Sequence, residues 1–330
     1  MPRLRIINVA DCGVGTSGMA ALASALAKAD TPSLESIVLD GNTVMDSKNA
    51  AMDALRDVLT SQPTLATLSL ARTNLGHRGC VALAAHLRLN SSLRKLSLDL
   101  AGLGDSAGAA DDDESAAAAL GSAIAAHGQL THLQLSRNNL GDTGVCAFAN
   151  AMLSGVAGKT IALKHLGLAM NNISADGARA LGSLLRAIAV NSSAAAAGSL
   201  DGLATLDLSD NRVDDAGFAH LVDAVAIEGG TLVNLVLQGN MIGDSGITQL
   251  IEQAIVPDET LSAVDAKRPL SLKYVNLAGN PQITAAGYDA LTTALEKNTT
   301  IKGVARATRS NQTWTGEGEG TAGEKGVYAK

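Results

Sequence analysis

The sequence predicts an α/β solenoid, with a parallel β-sheet lining one side and α-helices the other. Three observations predict it. A pattern LxxLxLxxNxL recurs in phase nine times, each copy is followed by a stretch with helical apolar spacing, and 46% of residues are hydrophobic while only 2% are aromatic. A short unit cannot bury its apolar face alone, so repetition on this scale implies stacking of unit on unit around an aliphatic core.

The copies begin at Leu4, Leu34, Leu65, Leu93, Leu130, Leu163, Leu203, Leu232 and Leu272. Their separations give a base unit of 28 to 31 residues, with longer copies carrying insertions. Within LxxLxL the leucines alternate, which fits a short strand with one side in the core and the intervening residues outside. The Asn at the ninth position, Asn42, Asn138, Asn171, Asn211, Asn240 and Asn280, can satisfy turn backbone groups with its amide, so stacked copies would form a hydrogen-bonded ladder. Cys12, Thr73 and Ala101 stand at that position in units one, three and four, and the ladder is expected to weaken at Ala101 or to be bridged there by water. After the turn come GVCAFANAML (144–153), GARALGSLLRAI (177–188), GFAHLVDAV (217–225) and GITQLIEQAI (246–255), whose apolar residues form one helical stripe. Asp142, Asp176 and Asp244 are placed to cap these helices, and the abundance of alanine makes the helices slim enough to stack closely.

The motif LxxLxLxxNxLGDxGxxxLAxxL resembles the ribonuclease-inhibitor-like class of leucine-rich repeat, as in ribonuclease inhibitor, NOD-like receptor repeat domains and Ran GTPase-activating protein. The resemblance covers residues 4–300 or so and implies a horseshoe, with the sheet on the concave face and the helices on the convex face. It marks fold strongly and function weakly, because one scaffold serves many partners. The expected organisation is a repeat domain over 1–301, about nine repeats plus a partial tenth, followed by a disordered tail over 302–330 that contains Trp314.

Some segments break the period. The fourth unit carries DDDES, Asp111 to Ser115, which reads as a solvated helix start with Ser115 as its cap; it lacks the alternating ligands and central glycine of a calcium loop. Other insertions at 153–162, 189–199 and 256–269 follow a helix and precede the next strand, so all would emerge along one edge.

Bulk properties narrow the function. A net charge of -7 argues against nucleic acid as partner. The N-terminus shows no signal peptide and no run approaches the length of a membrane span, so no membrane partner is expected. Cys12, Cys80 and Cys146, an odd number without ligand spacing, favour a reducing compartment, cytoplasmic or nuclear. No catalytic motif appears, and GVGTSG (13–18) lacks the lysine of a phosphate loop. No enzyme activity, cofactor or metal is expected.

The outward positions of the strands are then the candidate site. Third positions are Ile6, Ser36, Thr67, Lys95, His132, His165, Thr205, Asn234 and Tyr274; fifth positions include Gln134, Gly167 and Asp207; seventh and eighth add Arg72, Asp99, Leu100, Arg137, Met170, Asp210 and Gln238. Arg72, Lys95, Asp99, His132, Gln134, Arg137, His165, Met170, Asp207, Asp210, Gln238 and Tyr274 are the expected partner contacts. His132 and His165 should be adjacent rungs, a pair with no third ligand for a metal, so an ordinary recognition surface is the reading. Positive charge gathers in repeats three to six and negative charge in repeat seven, a pattern that would steer a complementary protein into register. The resemblance to Ran GTPase-activating protein makes a small GTPase the alternative partner, and that to NOD-like receptors a sensor fragment.

Overall fold

The computed structural model describes residues 4–28, 33–44, 50–104, 115–155, 161–194, 202–227, 230–255, 271–297, 301, 303–305 and 326–328. Its strands are β1 (Ile6–Asn8), β2 (Ser36–Val38), β3 (Thr67–Ser69), β4 (Lys95–Ser97), β5 (His132–Gln134), β6 (His165–Gly167), β7 (Thr205–Asp207), β8 (Asn234–Val236), β9 (Tyr274–Asn276), β10 (Gly303–Ala305) and β11 (Gly326–Tyr328). Its helices are α1 (Thr16–Lys28), α2 (Ala50–Ser61), α3 (Gly76–Leu87), α4 (Ala116–His127), α5 (Gly141–Gly155), α6 (Ala175–Ala194), α7 (Asp215–Val225), α8 (Asp244–Leu250) and α9 (Ala285–Lys297), with a π-turn at Ile251–Ile255 continuing α8. The eleven strands form one sheet in chain order, every neighbouring pair parallel. This is the α/β solenoid with a parallel sheet that the periodicity predicts.

Alternation along each strand fixes the register. The central residues Ile37, Leu68, Leu96, Leu133, Leu166, Leu206, Leu235 and Val275 are at most 2% exposed and stack rung on rung. Slipping a strand by one residue would turn a buried leucine to solvent, a loss of about 2 kcal/mol per rung. The helices close the other side of this layer with residues such as Leu83, Phe148, Leu181, Phe218 and Leu291, all at most 1% exposed.

The ninth-position asparagines are buried, from 0% exposure at Asn171 to 6% at Asn211. Each amide spans two repeats. Asn211 donates to the carbonyls of Leu168 and Leu208, both at 3.0 Å, and accepts from the backbone N–H of Asn171 and Ile173 at 2.9 and 3.0 Å. Asn42, Asn138, Asn171, Asn240 and Asn280 make the equivalent links to their preceding repeats. In repeat three the Thr73 hydroxyl satisfies only its own turn, donating to the Leu70 carbonyl at 2.7 Å, while the neighbouring Asn74 accepts from Val44 N–H at 2.8 Å. Ala101 is fully buried and brings no amide, so the side-chain ladder is interrupted between repeats three and four.

The helix caps differ from expectation. Asp142 lies inside the first turn of α5, and its carboxylate serves the next repeat: it accepts from the backbone N–H of Ser174 and Gly177, at 2.8 and 2.9 Å, and from the Ser174 hydroxyl. Asp215 accepts from Gly243 N–H at 2.7 Å, and Asp244 from Thr284 N–H at 2.8 Å and the Thr284 hydroxyl. Each of these aspartates thus caps the helix of the following repeat. A Cβ on Gly177 would lie 2.7 Å from the Asp142 carboxylate, so only glycine lets the carboxylate approach this closely. Asp176 instead pairs with Arg179 at 2.7 Å. Ala175 occupies the equivalent place in repeat six and can cap nothing, and repeat seven compensates with its own Asp214, which accepts from Gly217 N–H at 2.9 Å. Ser115 stands at the N-cap of α4, but its side chain makes no cap bond.

Asp111, Asp112, Asp113 and Glu114 lie outside the described residues, as do 156–160, 195–199 and 256–269 of the later insertions. Within 302–330, expected to lack order, the structure places β10 and β11. The physical reason for β10 is that Ile301 and Val304, 6% and 1% exposed, fill the first and fourth positions of a tenth unit and extend the core by one rung. Trp314 lies outside the described residues.

Candidate functional site

Parallel pairing without register slips carries the third-position residues into one row. Lys95 pairs with His132, His132 with His165, His165 with Thr205, Thr205 with Asn234 and Asn234 with Tyr274. Lys95, His132 and His165 are therefore contiguous, whereas Tyr274 sits on β9, three strands from His165. Gln134, Gly167 and Asp207 form the fifth-position row beside them. The Gln134 side chain lies across Gly167, where a Cβ would collide with its amide oxygen; glycine there makes room for glutamine to reach over the next rung. Asp207 is turned inward to its own turn, accepting from Ser209 N–H at 2.9 Å and from the Ser209 hydroxyl.

The two imidazoles stack, with centroids 4.1 Å apart and planes inclined by 20°. Near-parallel rings do not converge their nitrogens on one point, so the pair is a flat platform and no chelate. Among the described residues no group of three His, Cys, Asp or Glu could hold a metal ion. The Thr131 hydroxyl donates to the Arg94 carbonyl at 2.9 Å and lies 2.8 Å from His132 Nδ1. A hydroxyl has one proton; with it on the carbonyl, Nδ1 of His132 is the donor and Nε2 is left as an acceptor in the neutral ring. Burial, with a smaller contribution from Lys95, holds the pKa of His165 below the ordinary histidine value, favouring the uncharged form that stacks.

The remaining candidates lie along the turn that follows the strands. Asp99 accepts from Ser136 N–H at 2.6 Å; burial pushes its carboxyl up, against the Ser136 hydrogen bonds and the charge of Arg137. Gln238 accepts from Asn276 at 3.4 Å. Arg72 turns back along the solenoid and forms a two-pronged ion pair with Asp11, at 2.9 and 2.8 Å, so part of the expected positive surface is neutralised. Arg94, beside the row, spends its guanidinium on carbonyls of its own turn, Ser92 at 3.0 Å among them.

The eighth position of every repeat has left-handed backbone: Asp11, Gly41, Arg72, Leu100, Arg137, Met170, Asp210, Gly239 and Gly279, with φ from 52° to 69°. For an L-residue this costs on the order of 1 kcal/mol, least for Asp. The reward is a rung-to-rung hydrogen bond. The N–H of Arg72 donates to the Asp99 carbonyl at 2.7 Å, Leu100 to Ser136 at 2.9 Å, Arg137 to Ala169 at 2.9 Å, Met170 to Ser209 at 2.9 Å and Asp210 to Gln238 at 2.7 Å. Arg137, Met170 and Asp210 therefore stand on one exposed ridge with Leu100.

The repeat geometry and the family model agree. A family model described as "Leucine Rich repeat" matches residues 2–23, 130–149, 162–182 and 203–219. The chain carries leucine-rich repeats. The leucine-rich-repeat chain is similar to the human NACHT, LRR and PYD domains-containing protein 5, at 28% identity over 226 residues, 56% of this chain and 18% of that relative. It therefore spans less than a fifth of that relative's length. Among solved structures, that titled "Crystal structure of TLR13-ssRNA13 complex" aligns over 84% of this chain and 30% of its own, with a TM-score of 0.44 and 16% identity. No helix among the described residues of the leucine-rich-repeat chain is long and apolar enough to cross a membrane.

The sequence places Leu100 among the outward positions but not among the expected partner contacts, and it does not mark the left-handed ridge as a unit. Gly41, Gly239 and Gly279 at the eighth position were the signal, since glycine recurring at one place in a repeat marks a backbone conformation that other residues resist.

Proposed function

We propose that this chain is a non-enzymatic interaction module that holds a partner protein on its strand-lined face, the face expected to be concave. The observation that carries the reading is the row of Lys95, His132 and His165 on β4, β5 and β6, with Gln134 and Asp207 alongside: polar side chains of mixed charge held on a rigid sheet. Rigid presentation lowers the ordering cost of binding, and opposite charges at the two ends of the row fix the direction of a partner. Few aromatic residues line the face, so the bulky groups that fill the interface come from the partner. A cytoplasmic or nuclear setting fits the three thiols.

Affinity purification of the native chain beside a K95E/D207K variant tests the reading. Loss of specific partners from the variant is the expected result, and identical capture by both sinks it.

The similarity to a NACHT, LRR and PYD domains-containing protein favours the sensor-type repeat domain over a GTPase activator as the second reading. A panel of small GTPases assayed for hydrolysis with and without the chain should show no change in rate; acceleration of any one of them would reinstate the activator.

A further inference from the structure

The ridge of eighth-position residues points beyond the strand face. In repeats two, eight and nine the left-handed turn is filled by Gly41, Gly239 and Gly279, for which the conformation carries no steric cost. In repeats three to seven Arg72, Leu100, Arg137, Met170 and Asp210 hold it instead. Asp tolerates it; Arg, Leu and Met have no backbone reason to be there. Leu100 and Met170 are also 49% and 40% exposed, so core packing does not account for them. Large apolar side chains kept exposed on strained backbone are explained by what they touch in a complex.

We propose that the ridge formed by Leu100, Arg137, Met170 and Asp210 docks an amphipathic helix of a partner protein whose facing seam runs apolar, acidic, apolar, basic. The proposal deepens the binding-module reading and rests on it. Spacing selects a helix. Each ridge residue is hydrogen-bonded through its backbone N–H to the next rung, so successive side chains are about 4.8 Å apart and the four span about 14 Å. Residues i, i+3, i+7 and i+10 of a helix span about 15 Å at 1.5 Å per residue. Alternate residues of an extended strand would span about 20 Å and fall out of step by a full rung. Charge fixes the direction: the cation of Arg137 meets an acidic residue between two apolar ones, and the carboxylate of Asp210 meets a basic residue at the end.

The test uses a fluorescein-labelled, hydrocarbon-stapled alanine-based helix with Leu, Glu, Leu and Lys at i, i+3, i+7 and i+10, beside a twin with Glu and Lys exchanged. Both are titrated with the full chain by fluorescence anisotropy. The designed helix is expected to bind about tenfold more tightly than its twin, and an R137E/D210K chain to reverse the order. An L100G/M170G chain should lose the designed helix while its Tm stays level or rises, because glycine relieves two strained turns. Equal affinity for the twins, binding of neither, or a fall in Tm for L100G/M170G overturns the proposal. If K95E/D207K loses its cellular partner while the twins bind alike, the ridge is wrong and the binding-module reading stands. If the designed helix is selected while K95E/D207K keeps every partner, the ridge stands and the strand-face site falls.

Discussion

Repeats five to nine and repeats one to four use the same sequence motif but are held together differently. From Asn138 to Asn280 the ninth position is asparagine in every repeat, and each amide ties its own turn to the one before. Aspartates in the same half reach forward to cap the next helix. In repeats one to four the ninth position reads Cys12, Asn42, Thr73 and Ala101, and the side-chain contacts between repeats include exposed ion pairs such as Arg5 with Glu35 and Arg72 with Asp11. Exposed pairs contribute little, since solvent screens them and long side chains lose entropy in making them. The lesson is that a shared hydrophobic pattern specifies the shape of a solenoid, while buried polar groups decide how tightly neighbouring repeats are coupled.

The largest expected effect comes from removing a rung in the coupled half. Asn171→Ala would strand the buried Asn138 N–H, now bonded at 3.0 Å, and delete the bond to the Leu135 carbonyl at 2.9 Å. A loss of about 2 to 4 kcal/mol is expected in urea unfolding, against about 1 kcal/mol for Thr73→Ala, which deletes one bond within a single turn. Equal losses would erase the distinction between the halves.

Removing a forward cap comes next. Asp142→Ala should cost about 1 to 2 kcal/mol, and hydrogen exchange should report it at the start of α6 and not within α5. Burial pushes the Asp142 carboxyl up, but the hydrogen bonds from Ser174 and Gly177 together outweigh it and leave it below the usual carboxylate range. The folded state therefore favours the ionised form, so the cap is fully present above about pH 4 and is lost as pH falls through the lowered folded value. Native and D142A chains should converge in stability in strong acid.

A milder acid effect belongs to the less coupled half. Burial, helped by Arg94, lowers the pKa of His127 at the end of α4, and burial with Arg56 lowers that of His86 on α3. The unfolded chain takes up these protons more readily, so stability is retained above about pH 6.5 and declines as pH falls through the lowered folded values. H127Q should reduce the decline in Tm between pH 7 and pH 5; an unchanged decline would remove His127 as its source. The smallest effect expected is from Arg72→Ala, whose ion pair with Asp11 is exposed to solvent: its Tm should match the native chain within measurement error.

Much of this architecture is legible in the sequence because it repeats. Leu96, Leu133 and Leu166 announce their burial by alternation, and the fixed phase of the repeat is enough to place His132 beside His165. The stacking of their rings is not legible, because it depends on side-chain torsions and on Thr131 orienting one imidazole. The forward caps escape for another reason. Asp142 sits where a local rule assigns it to its own helix, and its partners Ser174 and Gly177 lie 32 and 35 residues on, beyond the reach of any local rule. Arg72 reads as an open cation in the sequence because its partner Asp11 lies 61 residues away.

The left-handed turns have one more consequence. In repeats one to eight the peptide group joining the seventh and eighth residues points its N–H at the carbonyl of the same peptide group one repeat on, from Asp11 with Asp40 to Gly239 with Ala278. Dipoles set head to tail in a single file reinforce and polarise one another, as in an α-helix, though here the file runs across the chain and each member comes from a different repeat. This edge of the sheet consequently has an electrical polarity, its amide-hydrogen end toward repeat nine, while the peptides joining the second and third residues, from Ser36 with Arg5 to Tyr274 with Val233, form a file that runs the other way at the opposite end of the strands.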